Sequence, residues 1–177
     1  EILSVSDEAG SRAVGIICLI GFLMGVIIAF ETALVAQIFG AVIFVVNGIG
    51  IAMTRELGPL MTAILFAGRS GSAFAAQLGT QKVNEELNAL TTFGLSPMYF
   101  LVVPRLIASS LVVPLLSVFA TILGILGGGL VMAMYDITYT QFYVQLLKSV
   151  TVTDIVFGLV KAVIFGFVIA LIGCQCG

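Results

Sequence analysis

The stretch from Leu106 to Tyr135, LIASSLVVPLLSVFATILGILGGGLVMAMY, contains no charged side chain over 30 residues. As a helix rising about 1.5 Å per residue, it is roughly 45 Å long and exceeds a hydrocarbon core about 30 Å thick. Such a span must tilt, kink or overhang, and Pro114 and Gly124 to Gly129 are the places for a kink or for tight packing. Its limits are set at 104–134.

Outward from this stretch the chain keeps the same character. It has 177 residues, of which 60% are hydrophobic and only 9% charged, so it cannot cover itself in water as an ordinary soluble domain does. The uncharged run from Ala13 resumes after the lone Glu31 and gives a first span over 13–36. Asn47, Gly48 and Gly50 then read as a short helix or re-entrant piece packed against protein, because lipid does not tolerate exposed irregular backbone. A second span over 57–81 opens at Thr54-Arg55-Glu56-Leu57-Gly58-Pro59, where proline suits a first helical turn. A fourth runs over 155–176. The sequence thus predicts an all-α polytopic membrane protein with four transmembrane helices in a single domain.

Two polar connections carry their own signals. Over 82–94 the residues Lys82, Asn84, Glu85, Glu86 and Asn88 lie opposite Val83, Leu87 and Leu90, the pattern of a short amphipathic helix outside the membrane. Between Asp136 and Asp154, the residues Tyr139, Phe142 and Tyr143, with Tyr135 before them, form an interfacial aromatic cluster. With four alternating spans, Arg12 and the Lys82–Arg105 segment share one side against Arg55 and Lys148, which makes that first side cytoplasmic.

Composition also excludes chemistry. The absence of His removes His-dependent triads, HExxH zinc sites and His proton relays. No basic run is present to hold a nucleic acid backbone. Cys18, Cys174 and Cys176 match no zinc or redox spacing and read as buried free thiols. No catalytic or metal-ligating residue is expected.

Charges inside a bilayer cost about 2.5–3.5 kcal/mol each on insertion scales, so those within the spans need a role. Arg55 and Glu56 either reach interfacial water or line a cavity where a zwitterionic or anionic headgroup meets both signs. Arg69 lies beside rows of small residues at helical spacing, including Gly68 with Ser72 and Gly71 with Gly79, which let helices approach closely in lipid. It reads as a packing or hinge residue. Lys161 either snorkels or meets a ligand. The Glu85/Glu86 helix is either a solvated face or a handle for a soluble partner.

Four motifs occur in order: Thr54-Arg55-Glu56-Leu57-Gly58-Pro59, Ala67-Gly68-Arg69-Ser70-Gly71-Ser72-Ala73, Glu85-Glu86-Leu87-Asn88-Ala89-Leu90 and Val103-Pro104-Arg105. Together with Lys161 and Val163-Ile164-Phe165-Gly166-Phe167, they resemble the MlaE/YrbE permease family of MCE-type ABC transporters. The resemblance runs from about residue 10 to 177. It implies five spans preceded by an interfacial helix, working as a homodimer in the bacterial inner membrane. The implied partners are a cytoplasmic MlaF-like ATPase that binds the ATP, a periplasmic MlaD-like MCE protein and a small MlaB-like STAS-domain protein. The implied activity is phospholipid movement between inner membrane and periplasm, with no cofactor in this chain.

On the same resemblance, the 82–94 helix is the coupling helix that seats on the ATPase through Lys82, Glu85, Glu86, Leu87, Leu90 and Phe93. Arg55, Glu56 and Lys161 become headgroup contacts, and Leu23, Ile27, Phe30 and Leu34 line the lipid-tail cavity. Gly68, Arg69, Gly71, Ser72 and Gly79 are the helix-packing set. The chain departs from the family in lacking the fifth span after Gly177, in an amino-terminal helix reduced to Glu1 to Gly10, and in Glu86 where Gln is common. The competing reading is an ion-coupled transporter or channel using Glu31, Glu56 and Lys161, against which stands the lack of an inverted repeat.

Overall fold

A computed structural model describes residues 2–85, 92–94, 96 and 98–176, with side-chain surroundings from residue 13 onward except at 98. Among these residues there are helices and no strand. Helix α1 spans Ile2–Ile38, continuous through the region expected to hold a separate interfacial helix. It ends where Gly40 adopts a left-handed φ of 64° and the Ala41 N–H donates to the Ala36 carbonyl at 3.0 Å. This six-to-one bond is the Schellman closure that glycine permits.

Helix α2 then runs without a break over Ile43–Val83. The sequence reading placed its start some fourteen residues later, at 57, because Asn47, Gly48 and Gly50 looked like breakers. Their role is tertiary: a Cβ at Gly50 would stand 2.7 Å from Leu146 Cδ1, and Asn47 Oδ1 accepts from Gln145 Nε2 at 2.9 Å. Two wide π-helical turns interrupt α2, at Met53–Leu57 and Ala67–Gly71. π turns inside α-helices frequently mark functional positions.

Helix α3 (Val103–Met134) follows a π turn at Met98–Val102 and keeps Pro114 in its interior. It closes through Asp136 at φ 61° and an Ile137 N–H to Met132 carbonyl bond. The polar connection contains a helix, α4 (Tyr139–Ser149), opened by a capping box between Thr138 and Gln141. Phe142 is buried, while Tyr139 and Tyr143 are exposed. Helix α5 spans Val152–Cys176. Cys18 and Cys174 are half-buried and Cys176 is exposed, so none of the three is the fully buried thiol read from the sequence.

Four helices are long and apolar enough to cross a bilayer, beginning at Ala13, Ile43, Tyr99 and Val152. Their packing depends on glycine. Where α1 crosses α3, a Cβ on Gly21 would stand 2.7 Å from the Ala120 carbonyl oxygen, and one on Gly25 would overlap the Gly124 carbonyl. Backbones in contact at this distance maximise dispersion in a solvent that offers no hydrophobic driving force between helices. Around this seam lie two apolar clusters, one containing Ile17, Phe66, Val113 and Leu116, the other Val46, Ile49, Met53 and Met132. Outward-facing positions such as Leu115, Leu126, Val160 and Ile164 are exposed apolar side chains that suit lipid.

Candidate functional site

The π turn at Met53–Leu57 is held from both sides. Within α2, the Gly58 N–H donates to the Met53 carbonyl, and Pro59 follows without an N–H of its own. From α3, the Thr121 hydroxyl donates to the same carbonyl at 3.4 Å. From α5, Gly158 presses on the Thr54 carbonyl so closely that a Cβ there would overlap it. The turn that carries Arg55 and Glu56 is therefore clamped between two other spans.

Across the Gly158 contact, α5 presents Asp154, Phe157 and Lys161 at i, i+3 and i+7, neighbouring positions on one helix face. Lys161 Nζ lies 2.6 Å from Glu56 Oε2, a charge-assisted hydrogen bond. Arg55 Nε is 3.9 Å from Glu56 Oε1, and its Nη1 is 3.7 Å from Asp154 Oδ1. The guanidinium also stands 5.4 Å from the centre of the Phe157 ring, within cation–π range. Two cations and two carboxylates thus compose one patch. Arg55 and Glu56 side chains stay about half exposed within the chain, at 49% and 57%, so the patch is open to a further charged group.

The structure brings together all three residues expected at the headgroup position and adds Asp154 and Phe157, which the sequence reading missed. A signal for Asp154 was present. Thr151-x-x-Asp154 is a capping box, in which Asp154 Oδ2 accepts from the Thr151 N–H at 3.1 Å and the Thr151 hydroxyl at 2.6 Å. The cap fixes the carboxylate, whose side chain is 13% exposed, where its other oxygen meets Arg55. Beside the clamp lies an apolar cavity of about 280 Å³ between α3, α4 and α5, with Thr54, Ser117 and Thr121 as its polar points and Ile122, Leu146 and Ile155 on its walls.

The remaining expected residues are distributed elsewhere. Leu23, Ile27, Phe30 and Leu34 form an exposed stripe on α1, each between 46% and 49% accessible, on the face turned away from the glycine seam. In the packing set, Gly71 meets α5, where a Cβ on Gly173 would stand 2.9 Å from its carbonyl oxygen. Gly68 and Gly79 have nothing within 4 Å of a modest added Cβ, and Ser72 bonds the Gly68 carbonyl of its own helix at 2.7 Å. Arg69 is an exposed residue of the second π turn and lines a groove with Ala13 and Ile17 of α1. In the expected coupling helix, Lys82, Glu85 and Phe93 are exposed, and Glu86, Leu87 and Leu90 lie outside the described residues. No cluster of metal-ligating side chains occurs among the described residues.

Comparison with known proteins agrees with this architecture. A family profile described as Permease MlaE matches residues 2–177. A probable ABC transporter permease protein of Synechocystis is 34% identical over 99% of this chain and 67% of its own length. One from Rickettsia typhi is 32% identical over 95% of this chain and 65% of its own. The intermembrane phospholipid transport system permease protein MlaE of Haemophilus influenzae is 33% identical over 92% of this chain and 63% of its own. The chain therefore spans about two thirds of the length of these relatives. A match over almost every residue, joined to four apolar spans with the charged patch clamped between the second and fourth, places this chain in the MlaE permease family.

Proposed function

We propose that this chain is the membrane-spanning part of an ABC transporter permease subunit that moves phospholipid between a bacterial inner membrane and a periplasmic MCE-domain protein. The observation that carries the reading is the clamped patch of Arg55, Glu56, Asp154 and Lys161. A zwitterionic or anionic headgroup offers a phosphate to the cations, and the carboxylates can receive an ammonium. An isolated structural ion pair would need none of this exposure.

The α1 stripe of Leu23, Ile27, Phe30 and Leu34 supplies apolar surface for acyl chains, and a second copy of the chain would close a cavity over it. The relatives' names support the substrate class, since the Haemophilus protein is named for intermembrane phospholipid transport. ATP hydrolysis belongs to a cytoplasmic MlaF-like partner seated on the 82–94 segment. Its closure would pull that segment and, through the two π turns of α2, re-pack the helix faces around Arg69 and Arg55. MlaD-like and MlaB-like proteins complete the assembly. An ion-coupled carrier is less favoured, because Glu56 and Asp154 already sit against cations rather than forming a relay.

The test is native mass spectrometry of the full-length protein, purified in mild detergent after co-expression with its genomic neighbours. The expected species is a dimer with two ATPase subunits and bound phospholipid, with the lipid lost in Arg55→Ala or Glu56→Ala. A lipid-free protein that ignores the ATPase would overturn the reading.

A further inference from the structure

At the other end of the bundle, α2 and the start of α3 line a second polar site. Arg105 is only 7% exposed, yet among the described residues no carboxylate lies within ion-pair distance of it. Its Nη2 donates to Gln77 Oε1 at 3.4 Å, its guanidinium stands 6.0 Å from the centre of the Phe74 ring, and its Nη1 is buried without a hydrogen-bond partner. Gln81 Oε1 is likewise buried and unpaired. An unmet donor on a buried cation costs far more than an unmet donor in water, so a native structure normally supplies a partner.

Arg105 and Gln81 line an open groove of about 550 Å³ together with Ala76, Gln77, Thr80 and Asn84. The volume is many times what a single water needs, and among the described residues the walls are amides, a hydroxyl and one cation with no anion. The chemistry is that of an oxyanion site with one fork-shaped guanidinium donor.

Depth identifies the oxyanion. Gln77 stands 23 residues beyond Thr54 on the same continuous helix, roughly 34 Å at 1.5 Å per residue. Thr54 lies at the headgroup patch of one face, and the hydrocarbon core is about 30 Å thick. The Arg105 site is therefore at headgroup level in the opposite leaflet. We propose that the groove between Gln77, Gln81 and Arg105 binds the phosphate of a phospholipid in that leaflet, as a second lipid site about one membrane thickness from the first. The proposal rests on the reading that puts Arg55 and Glu56 at headgroup level in a bilayer, and not on transport.

The site can be tested in the full-length protein in nanodiscs of phosphatidylethanolamine and phosphatidylglycerol, with photoreactive benzoylphenylalanine at Thr80 and adducts read by intact mass. The expected result is a phospholipid adduct that falls about tenfold or more in Gln77→Glu, where a carboxylate occupies the guanidinium in place and leaves no buried charge unpaired. Arg105→Gln should lose the adduct too, and Arg105→Lys should keep part of it. Equal labelling by diacylglycerol, which has no phosphate, would overturn the proposal. So would displacement of the lipid by millimolar inorganic phosphate, which would make this a free-anion site, or an adduct to a protein partner in place of lipid.

Discussion

Glu56 stands between two cations, with one oxygen toward Arg55 and the other on Lys161. At this scale the resemblance grouped Arg55, Glu56 and Lys161 but not Asp154 or Phe157. Adjacent residues on a regular helix do not share a face, so the geometry by which Arg55 and Glu56 join one patch came only with the π turn and the α5 crossing. Glu56→Gln and Lys161→Met should each release most of the co-purifying phospholipid, measured by lipid mass spectrometry. The charge swap Glu56→Lys with Lys161→Glu should regain part of it. Complete recovery in the swap, with both proteins folded, would argue that the pair is structural and contacts no ligand. Thr151→Ala removes the cap that orients Asp154 and should cost about 1 kcal/mol in reversible detergent unfolding. It should also weaken lipid retention, because the carboxylate facing Arg55 is no longer held.

Among elements, the glycines divide by what surrounds them. Gly25 and Gly124 lie backbone to backbone at the α1–α3 seam, so alanine at either should destabilise by about 1–3 kcal/mol through overpacking. Alanine at Gly48 or Gly68, where nothing lies within 4 Å, should change stability by no more than about 0.5 kcal/mol in the isolated subunit. Thermal unfolding in detergent separates the two groups, and equal effects would mean the seam is not packed as described. The π turn allows a sharper test, because a π turn accommodates one extra residue in an α-helix. Deleting Leu57 should leave α2 folded, with a melting temperature close to that of the parent, while turning Glu56 off Lys161 and lowering lipid retention.

For the whole molecule, the unanswered surface is the apolar stripe on α1. With Cys18, Cys174 and Cys176 replaced by Ser, Ile27→Cys in the full-length protein should cross-link two copies in membranes under mild oxidation. If Ser72→Cys cross-links and Ile27→Cys does not, the copies meet through α2 instead. The same surface shows how far sequence reading reached. The family resemblance named Leu23, Ile27, Phe30 and Leu34 as a lipid-tail lining, since an almost wholly apolar span offers no periodicity of its own that singles out one face. The sequence could not tell a lipid-facing stripe from a partner-facing one, since hydrocarbon and a neighbouring helix make the same demand on side-chain polarity.

What the sequence determined by itself is the all-α, four-span architecture and the family, because desolvating charge is costly enough that uncharged runs and isolated motifs leave few alternatives. Local signals also foretold the helix breaks at Gly40 and Asp136. The early start of α2, the two π turns and the meeting of Asp154 with Arg55 were decided only by the tertiary structure. Each depends on a contact from another span: Gln145 on Asn47, Thr121 on the Met53 carbonyl, Gly158 against Thr54. Interactions across roughly a hundred residues leave no periodic trace in either segment alone, so they become legible only when the helices are packed.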